Sequence, residues 1–495
     1  MYFPDKKEFT KKAKTANLIP VYKEISADFL TPLSAYKKIS SKNSFLLESV
    51  EGEERIARYS FLGSDPSHII LIKGKRIDIK SKAGKKVIYE NNPFDYLKTF
   101  MKNHKASRTE GLPRFFGGLV GYIGYDCIRY FEDIPDTCKD DLKFHDAVLM
   151  LTDTILIFDH VKHKVKIVSN TYIKSKSKKH IISQYNKSLG KIDAIIKKLT
   201  RPIKEPVAEI TKEQALPAIK SNFKKSDFKK AVTKIKDYIK KGDIIQAVPS
   251  QRFETPFNGN ALNIYRALRS INPSPYMFYL SFGKLKIAGS SPEVMVRSEG
   301  GVVTIRPIAG TRKRGRNEDE DKVLMKDLLS DPKERAEHLM LVDLARNDLG
   351  RICKTGTVKV DEFMIIEKYS QVMHIVSNCS GALKKDKDSF DVLGACFPAG
   401  TVTGAPKIRA MEIIDELEKT KRGAYAGCVG YFSFSGNMDT GITIRTVLVK
   451  NNKAYVQAGA GIVADSVPEN EYRETQNKAK AMIKAIAMAK AGADK

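Results

Sequence analysis

Two pairs of glutamates, each spaced three residues apart, are the first candidates for chemistry in this sequence. Glu334 and Glu337 lie in DPKERAEHLMLVDLARNDLG, and Glu471 and Glu474 lie in PENEYRETQNKAK near the C-terminus. Residues three apart share one face of a helix, with Cβ atoms about 5–6 Å apart. Two such faces across a cleft would present carboxylate oxygens that suit Mg²⁺, with room for water and a substrate anion in its coordination shell.

Either pair taken alone has an ordinary explanation as helix capping. Asp331 is the predicted N-cap of the first helix, and Pro332 stands in its first turn. Acids in a first turn complement the helix dipole, and Glu334 occupies the place of a capping-box glutamate. Each pair alone therefore favours capping over a metal site.

The segment PIAGTRKRG (307–315) is a second candidate, for binding an anion. A strand through residues 302–305 is predicted to end in a loop that passes through residues 309–311 and leaves through the cations at 312–314. Glycine lets the backbone approach a ligand closely, threonine offers a hydroxyl, and the cations suit an anion.

The elements that must position these residues alternate without a strict strand–helix–strand rhythm, which favours an α+β fold over a doubly wound parallel sheet. Helices are predicted at 182–199 and from N-cap signals at Ser226 and Asp227. The predicted strands are SFLLES (44–49), ARYSFLG (57–63) and a hairpin of two long strands within 146–168. Prolines 202, 206 and 217 indicate a connector.

Composition bounds the class of protein. The net charge of +28 raises the possibility of nucleic-acid binding. The most basic stretch, residues 162–204, holds twelve lysines and Arg201 against the single acid Asp193, and its only aromatic residues are the isolated Tyr172 and Tyr185. A solvated lysine-rich face is the favoured interpretation, and a basic nucleic-acid-binding protein stays as an alternative.

The sequence contains no run of eighteen apolar residues and no apolar signal region at its N-terminus. Its six cysteines are scattered and form no C-x-x-C motif, which fits reduced thiols rather than a zinc site or a disulfide framework. These observations predict a cytoplasmic location.

In combination, the motifs resemble those of chorismate-utilising enzymes, and most closely anthranilate synthase component I, the chorismate-aminating subunit. The resemblance covers about residues 225–490. The motifs that carry it are SSPEVMV (290–296), PIAGT (307–311), AEHLMLVDLARNDLGRI (336–352), QVMHIVS (371–377), GTVTGAPKIRAM (400–411), GAYAGCVGY (423–431), IRTVLV (444–449), QAGAGIV (457–463) and YRETQNKA (472–479).

The resemblance implies two antiparallel β-sheets packed orthogonally, with helices outside and the active site in a cleft. It implies an N-terminal regulatory, tryptophan-binding region at 1–200, a connector at 201–224 and a chorismate-binding catalytic domain at 225–490. The implied reaction converts chorismate and ammonia to anthranilate and pyruvate through 2-amino-2-deoxyisochorismate, the first step of tryptophan biosynthesis.

The resemblance also assigns roles to individual residues. It places Mg²⁺ on Glu337 and Glu474, with Glu334 and Glu471 as supporting or water-mediated partners. Glu293 would be the general acid for the departing 4-hydroxyl, while His374 and Thr401 would assist the elimination of pyruvate. The implied chorismate-binding residues are Gly310, Thr311, Tyr425, Arg445, Gly459, Ala460, Gly461 and Lys478.

Two positions distinguish this chain from sister enzymes. Many aminodeoxychorismate synthases carry a nucleophilic lysine where this chain has Ala309, and isochorismate and salicylate synthases carry a lysine base that aligns with Gln246. With both lysines replaced, we expect ammonia itself to add at C2. The alternatives are a 4-amino-4-deoxychorismate synthase without the lysine and a catalytically inactive regulatory homologue.

Two segments, LLES (46–49) and NPSPYM (272–277), are similar to the two parts of the feedback site of the same family. The implied L-tryptophan-binding residues are Glu48, Ser49, Pro275, Tyr276 and Met277. The chain has no G-x-C-x-G nucleophile loop of a glutamine amidotransferase. The resemblance therefore implies a separate glutaminase subunit that supplies ammonia, with heterotetramers of two large and two glutaminase subunits common in the family.

Overall fold

The structure is a computed structural model that describes residues 1–49, 58–203, 216–369 and 372–491. Within these ranges it has the expected α+β composition, with strands and helices in both halves of the chain. The helices are α1 (Lys6–Lys12), α2 (Pro32–Ile39), α3 (Pro93–Lys102), α4 (Lys178–Leu199), α5 (Lys225–Lys240), α6 (Ala261–Ile271), α7 (Glu318–Ser330), α8 (Pro332–Ile352), α9 (Ser389–Cys396), α10 (Lys407–Leu417) and α11 (Pro468–Ala491). Short 3₁₀ helices span Tyr125–Tyr130 and Gly400–Val402.

The strands form two large sheets and one two-stranded sheet. Their bounds are β1 (Tyr2–Phe3), β2 (Leu18–Ser26), β3 (Asn43–Glu48), β4 (Tyr59–Ser64), β5 (His68–Lys73), β6 (Arg76–Ser81), β7 (Gly84–Tyr89), β8 (Gly118–Ile123), β9 (Ala147–Thr152), β10 (Thr154–Asp159), β11 (Lys164–Tyr172), β12 (Lys220–Ser221), β13 (Gln246–Ala247), β14 (Ser250–Pro256), β15 (Tyr276–Phe282), β16 (Leu285–Ser291), β17 (Val294–Glu299), β18 (Val302–Ile305), β19 (Ile308–Lys313), β20 (Lys359–Lys368), β21 (Val372–Ala382), β22 (Gly404–Ala405), β23 (Cys428–Ser433), β24 (Met438–Ile442), β25 (Thr446–Lys450) and β26 (Lys453–Gly459).

Both large sheets are twelve-stranded, and every pairing between their strands is antiparallel. The first sheet has the order β1-β2-β11-β10-β4-β3-β15-β16-β25-β26-β14-β12. The second has the order β19-β21-β18-β17-β24-β23-β8-β9-β5-β6-β7, with β20 paired to β21. Each sheet takes strands from both halves of the sequence, since β3 pairs with β15 and β8 pairs with β23. The boundaries at 200 and 225 stay a prediction, and residues 204–215 of the connector lie outside the described ranges.

The main hydrophobic core lies between the two sheets. Alternate residues of β15 point to opposite faces of the first sheet, as a strand with a two-residue period requires. Phe278 and Leu280 join the core that faces the second sheet, while Met277 and Tyr279 pack with the helices on the other face. Helices α6 and α11 cover that outer face and pack against each other.

The predicted hairpin at 146–168 is wrong in one respect. The segment contains three strands, and the chain passes from the second sheet to the first at Asp153, between β9 and β10. Strand β9 pairs with β5 and β8, whereas β10 pairs with β4 and β11. Because β9 and β10 are both buried on two faces, their apolar residues run together and hide the change of sheet.

Two further predictions need correction. Residues 308–313 form strand β19, which pairs with β21 through a bulge between Ala309 and Thr311, where a loop was predicted. Helix α5 has Lys224 at its N-cap, without a side-chain cap, so Ser226 and Asp227 lie inside the first turn. The N-cap at Asp331 is confirmed, because its carboxylate accepts hydrogen bonds from the backbone N–H groups of Lys333 and Glu334.

Among the described residues, no helix combines the length and apolarity needed to cross a membrane. All six cysteines lie in the described ranges and are free thiols.

Candidate active site

A cavity of about 580 Å³ gathers nearly all of the predicted catalytic and substrate-binding residues. Its wall is formed by β19, β21, the segment that follows β16, the end of β26, and one face each of α8 and α11. The predicted residues that line it are Gln246, Glu293, Ala309, Gly310, Thr311, Glu334, Glu337, His374, Thr401, Tyr425, Arg445, Gly459, Gly461, Glu471, Glu474 and Lys478.

The two glutamate pairs face the same cavity from different helices. Glu334 and Glu337 lie on α8, and Glu471 and Glu474 lie on α11, more than 130 residues later in the chain. Burial and the neighbouring negative charge of Glu334 raise the pKa of Glu337, and Glu474 adds to this effect. Burial likewise raises the pKa of Glu471. Carboxylates that repel one another in this way favour a bound cation.

Each pair also has one carboxylate held by a cation of the protein. Glu334 accepts a hydrogen bond from the Arg312 guanidinium at 3.1 Å, and Glu474 forms a 2.7 Å ion pair with Lys478. Within the described ranges, no group of three or more His, Cys, Asp or Glu side chains is arranged to hold a metal ion. The carboxylates nevertheless fit Mg²⁺, which is bound through one or two protein carboxylates and takes its remaining ligands from water and substrate.

Arg445 and Lys478 place two positive charges on the wall beside these acids. Arg445 donates to the carbonyl oxygen of Lys478 at 2.8 Å, and the Lys478 ammonium donates to the carbonyl oxygen of Gly459 at 3.1 Å. Burial lowers the pKa of Arg445, which shows that its charge is poorly solvated by protein and water alone. A carboxylate ligand would relieve that cost, because guanidinium and carboxylate groups pair in bidentate geometry.

The bulge in β19 brings Gly310 and His374 together. Gly310 has a φ of +68°, and a Cβ atom there would lie 3.2 Å from Oε2 of Glu334, so glycine suits both the backbone and the space. Its carbonyl oxygen accepts a hydrogen bond from Nδ1 of His374 at 2.8 Å, and the Thr311 hydroxyl lies 3.1 Å from the same nitrogen. Because a carbonyl can only accept, Nδ1 carries the proton and the neutral ring keeps an unprotonated Nε2.

Glu293 follows β16 and is enclosed beside Thr401 and Lys478. Burial raises the pKa of its carboxyl to about 7, against the lowering effects of the Thr401 hydroxyl and the Lys478 ammonium. A substantial fraction of Glu293 is therefore protonated near neutral pH, as a general acid requires.

Tyr425 and the turn after β26 complete the wall. The Tyr425 hydroxyl would lie 2.9 Å from a Cβ atom at Gly459, and the Gln246 amide nitrogen would clash with a Cβ atom at Gly461. Both glycines therefore make room for a neighbouring side chain. The structure does not bring the Ala460 side chain to the cavity: it is buried in the core beside α5, and its N–H group donates to the Pro249 carbonyl.

The two arginines that follow Thr311 form ion pairs within the protein, although the sequence indicated that they would bind an anion. Arg312 pairs with Asp327, Asp331 and Glu334. Arg314 pairs with Asp321, on α7. The predicted anion-binding role of these two arginines is wrong, because acids of the protein already occupy them.

A second, smaller cavity contains all five residues of the predicted tryptophan site. Glu48, Ser49, Pro275, Tyr276 and Met277 line it where β3 pairs with β15. Burial raises the pKa of Glu48, whose carboxylate accepts a hydrogen bond from Tyr265 and lies 3.5 Å from Arg269. The Ser49 hydroxyl is buried and has no hydrogen-bond partner among the residues that the structure describes.

Known proteins are similar to this chain over nearly its whole length. The profile described as "chorismate binding enzyme" matches residues 42–484. Anthranilate synthase component 1 of Acetivibrio thermocellus is 49% identical over 487 residues, covering 98% of this chain and 99% of that protein. Its counterpart in Aquifex aeolicus is 50% identical over 485 residues, covering 97% of each chain.

The chain belongs to the chorismate-binding enzyme family, with the anthranilate synthase component 1 proteins.

Two solved structures have a fold similar to that of this chain. Anthranilate synthase component I of Streptococcus pneumoniae has a TM-score of 0.78 at 38% identity, covering 93% of this chain and 99% of that one. A menaquinone-specific isochorismate synthase of Escherichia coli has a TM-score of 0.70 at 18% identity, covering 95% of each chain, and shares the fold.

The structure places further residues at the two cavities that the sequence analysis did not identify. Arg114, Arg297 and Asp439 line the smaller cavity, and Asp439 accepts a hydrogen bond from Tyr276 at 2.7 Å. Gln457 lines the larger cavity. Single arginines and glutamines carry no distinctive spacing, so only the tertiary arrangement reveals them. The tyrosine motif GAYAG pointed to Tyr425 but gave no sign of Arg422, the buried cation beside its ring.

Proposed function

We propose that this enzyme converts chorismate and ammonia to anthranilate and pyruvate through 2-amino-2-deoxyisochorismate, the first step of tryptophan biosynthesis. One observation carries the proposal. A single cavity combines four carboxylates, the cations Arg445 and Lys478, and two groups suited to proton transfer, Glu293 and His374. Binding a dicarboxylate, expelling a hydroxyl group and removing a ring proton need these kinds of groups.

The substrate-binding part of the proposal rests on charge. Glu337 and Glu474 would hold Mg²⁺, with support from Glu334 and Glu471, and the ion would supply positive charge against the ring carboxylate of chorismate. Arg445 would bind a carboxylate directly. Gly310, Thr311, Tyr425 and the backbone at Gly459–Gly461 would fix the position of the ring.

The first half-reaction replaces one group on the ring by another. Ammonia forms a bond at C2, the ring double bonds shift, and the bond from C4 to its hydroxyl breaks. Glu293 gives its proton to the departing hydroxyl, which leaves as water, and the ammonium group formed at C2 loses one proton, which balances the proton that Glu293 gave. Glu293 suits this step because burial keeps much of it protonated near neutral pH.

The second half-reaction removes a ring proton and expels pyruvate, which leaves an aromatic ring. Nε2 of His374 is the unprotonated nitrogen of the neutral imidazole, and burial lowers the pKa of the ring, so it stays available as a base. Thr401 lines the cavity beside Glu293 and would assist.

The choice between this reaction and those of the sister enzymes depends on two residues: Ala309 against 4-amino-4-deoxychorismate synthesis, and Gln246 against isochorismate or salicylate synthesis. Both line the cavity, and neither offers a nucleophile or a base. Ala309 cannot attack the ring covalently and Gln246 cannot deprotonate water, which leaves ammonia at C2 as the nucleophile.

The smaller cavity is the proposed site of feedback inhibition by L-tryptophan. The Glu48 carboxylate would accept a hydrogen bond from the amino group of the ligand. The Ser49 hydroxyl, which has no partner among the described residues, would form a hydrogen bond with a polar atom of the ligand. Pro275 and Met277 would contact the indole ring. The cavity has a volume of only about 60 Å³, so its side chains must move apart to admit the ligand.

Ammonia would come from a glutamine amidotransferase partner. The relatives are named component 1, which supports a second component. We propose a heterotetramer of two large and two glutaminase subunits in the cytoplasm, where the six free thiols would stay reduced.

The experiment that tests the proposal compares the two products of the reaction. Purified chain, chorismate, MgCl₂ and ammonium chloride should release pyruvate and anthranilate in equal amounts, measured by chromatography. An amino compound that retains its pyruvyl group, with no free pyruvate, would instead support the aminodeoxychorismate reaction.

A further inference from the structure

A buried ion pair between Arg422 and Glu418 lies directly behind the chorismate cavity. The two side chains are 1% and 5% exposed and meet at 2.7 Å, four residues apart. Neither residue lines the cavity. A wholly buried pair brings little net stability, because the cost of removing both charges from water offsets their attraction. The other hydrogen bonds of these two side chains therefore indicate the role of the pair.

The Arg422 guanidinium bonds to two separate segments of the cavity wall. It donates to the carbonyl oxygen of Val248 at 2.6 Å and to that of Val402 at 2.8 Å. Val248 lies between β13 and β14, and Val402 follows Thr401 in the second 3₁₀ helix. Both valines line the cavity.

The Glu418 carboxylate extends the connection to a third segment. It accepts hydrogen bonds from the backbone N–H and the hydroxyl of Ser250, at 2.8 and 2.9 Å. The same hydroxyl accepts a hydrogen bond from the Gln457 side chain at 2.8 Å. Gln457 lies on β26, two residues before Gly459.

The fourth connection is to a proposed substrate-binding tyrosine. The Arg422 guanidinium lies 5.6 Å from the centre of the Tyr425 ring and 4.6 Å from that of Tyr125, so it sits close to both aromatic faces. Tyr125 lies behind the wall, and Tyr425 lines the cavity.

We infer that Arg422 and Glu418 are positioning residues for the chorismate reaction: together they fix the 248–250 segment, the Thr401–Val402 segment, Gln457 and Tyr425 relative to one another. The inference rests on the proposed function, because it assumes that this cavity is where chorismate binds. A planar guanidinium with a fork of fixed donors suits the task, since it can hold several acceptors in one geometry, whereas a lysine ammonium is a single point of charge.

The test compares Arg422→Lys with Arg129→Lys. Arg129 offers a matched control, because it pairs with the buried carboxylate of Asp415, on α10, at 2.6 Å. Among the described residues, none of its hydrogen bonds or ion pairs reaches a residue that lines the cavity. We expect Arg422→Lys to raise KM for chorismate by about tenfold, since the wall loses fixed hydrogen bonds. The control should change KM by less than about twofold.

Two further readouts separate positioning from general destabilisation. The chain contains no tryptophan, so the fluorescence of L-tryptophan itself reports binding at the smaller cavity. Arg422→Lys should leave that affinity unchanged and its melting temperature close to that of Arg129→Lys. Equal changes in KM for the two variants, or no change for Arg422→Lys, would overturn the inference.

A second variant covers the case in which Arg422→Lys does not fold. Glu418→Gln preserves the shape of the side chain and the acceptor for the Ser250 N–H, but it removes the charge that holds the guanidinium. KM should again rise by about tenfold, and an unaltered KM would overturn the inference. If the wild-type chain makes no anthranilate, the proposed function fails, and calorimetric affinities for chorismate of the same variants decide the positioning role.

Discussion

The Nδ1 atom of His374 lies 2.8 Å from the carbonyl oxygen of Gly310, at the bulge in β19 where that strand pairs with β21. The bulge turns the Gly310 carbonyl to the histidine, and the positive φ of Gly310 makes this possible. The bond selects the tautomer in which Nε2 is free to accept a proton.

His374→Asn should therefore stop the reaction half-way. Without a base, the ring proton is not removed, and we expect anthranilate formation to fall by about 10²–10⁴-fold. Chromatography should show an amino compound that still carries its pyruvyl group. Anthranilate production at the wild-type rate would contradict the assigned role.

Glu293 predicts a pH dependence of the first half-reaction. Burial raises the pKa of Glu293 to about 7, and the protonated form is the one that donates. The rate of ammonia addition, expressed per concentration of free ammonia, should be highest below that pKa and fall as pH rises through about 7. Glu293→Gln should be slower by about 10²–10⁴-fold and lack this decline. A wild-type rate that stays level across this range would contradict the role.

Glu337 predicts how the enzyme responds to Mg²⁺. Glu337→Gln removes one proposed ligand and some of the repulsion among the carboxylates, so half-maximal activity should need at least about tenfold more Mg²⁺. Glu469→Gln is the control, because Glu469 lies on α11 but pairs with Lys225 and Lys229 outside the cavity. The two variants are compared by Mg²⁺ titration after EDTA treatment. The same Mg²⁺ requirement in both would contradict the assignment.

A substitution at Glu48 should weaken inhibition by L-tryptophan without changing catalysis. Glu48→Gln keeps the contact with Tyr265 but removes the charge that would meet the amino group of tryptophan. The L-tryptophan concentration for half-inhibition should rise by about tenfold, because hydrogen bonds to charged groups are the stronger ones. The uninhibited kcat should not change. A fall in kcat with unaltered inhibition would place Glu48 in the catalytic machinery instead.

The family resemblance named most of the residues that line the cavity, whereas local patterns indicated only a few of them and not how they assemble. The cap at Asp331 and the spacing of Glu334 and Glu337 predict one face of α8. Nothing local shows that this face meets α11, because the meeting depends on strands that pair across the whole chain. The family resemblance supplied that long-range information.

The errors in the fold have a common physical origin. Strand β19 contains Gly310 at a bulge, and a glycine between proline and a run of cations has the composition of a loop. At Asp153 the chain leaves one sheet for the other, but the interruption between the apolar residues of β9 and β10 is so short that the two strands resemble one long strand. Pairing between distant strands decides both cases, and no local window of sequence contains it.

The ion-pair partners of the arginines could not be predicted from the sequence either. The sequence presents Arg312 and Arg314 as free cations beside a predicted loop, whereas the fold brings carboxylates of α7 and α8 to them. Arg422 was overlooked for the opposite reason, since an isolated arginine usually lies at the surface and this one is buried.

The central claim is that chorismate and ammonia become anthranilate in this cavity under control of the smaller one. Its most direct test is the fluorescence of anthranilate when the purified chain is mixed with chorismate, MgCl₂ and ammonium chloride at alkaline pH, with and without L-tryptophan. The account predicts a fluorescence increase that L-tryptophan suppresses in the wild type and that Arg445→Ala abolishes. Consumption of chorismate without anthranilate, or synthesis by Arg445→Ala at the wild-type rate, would contradict it.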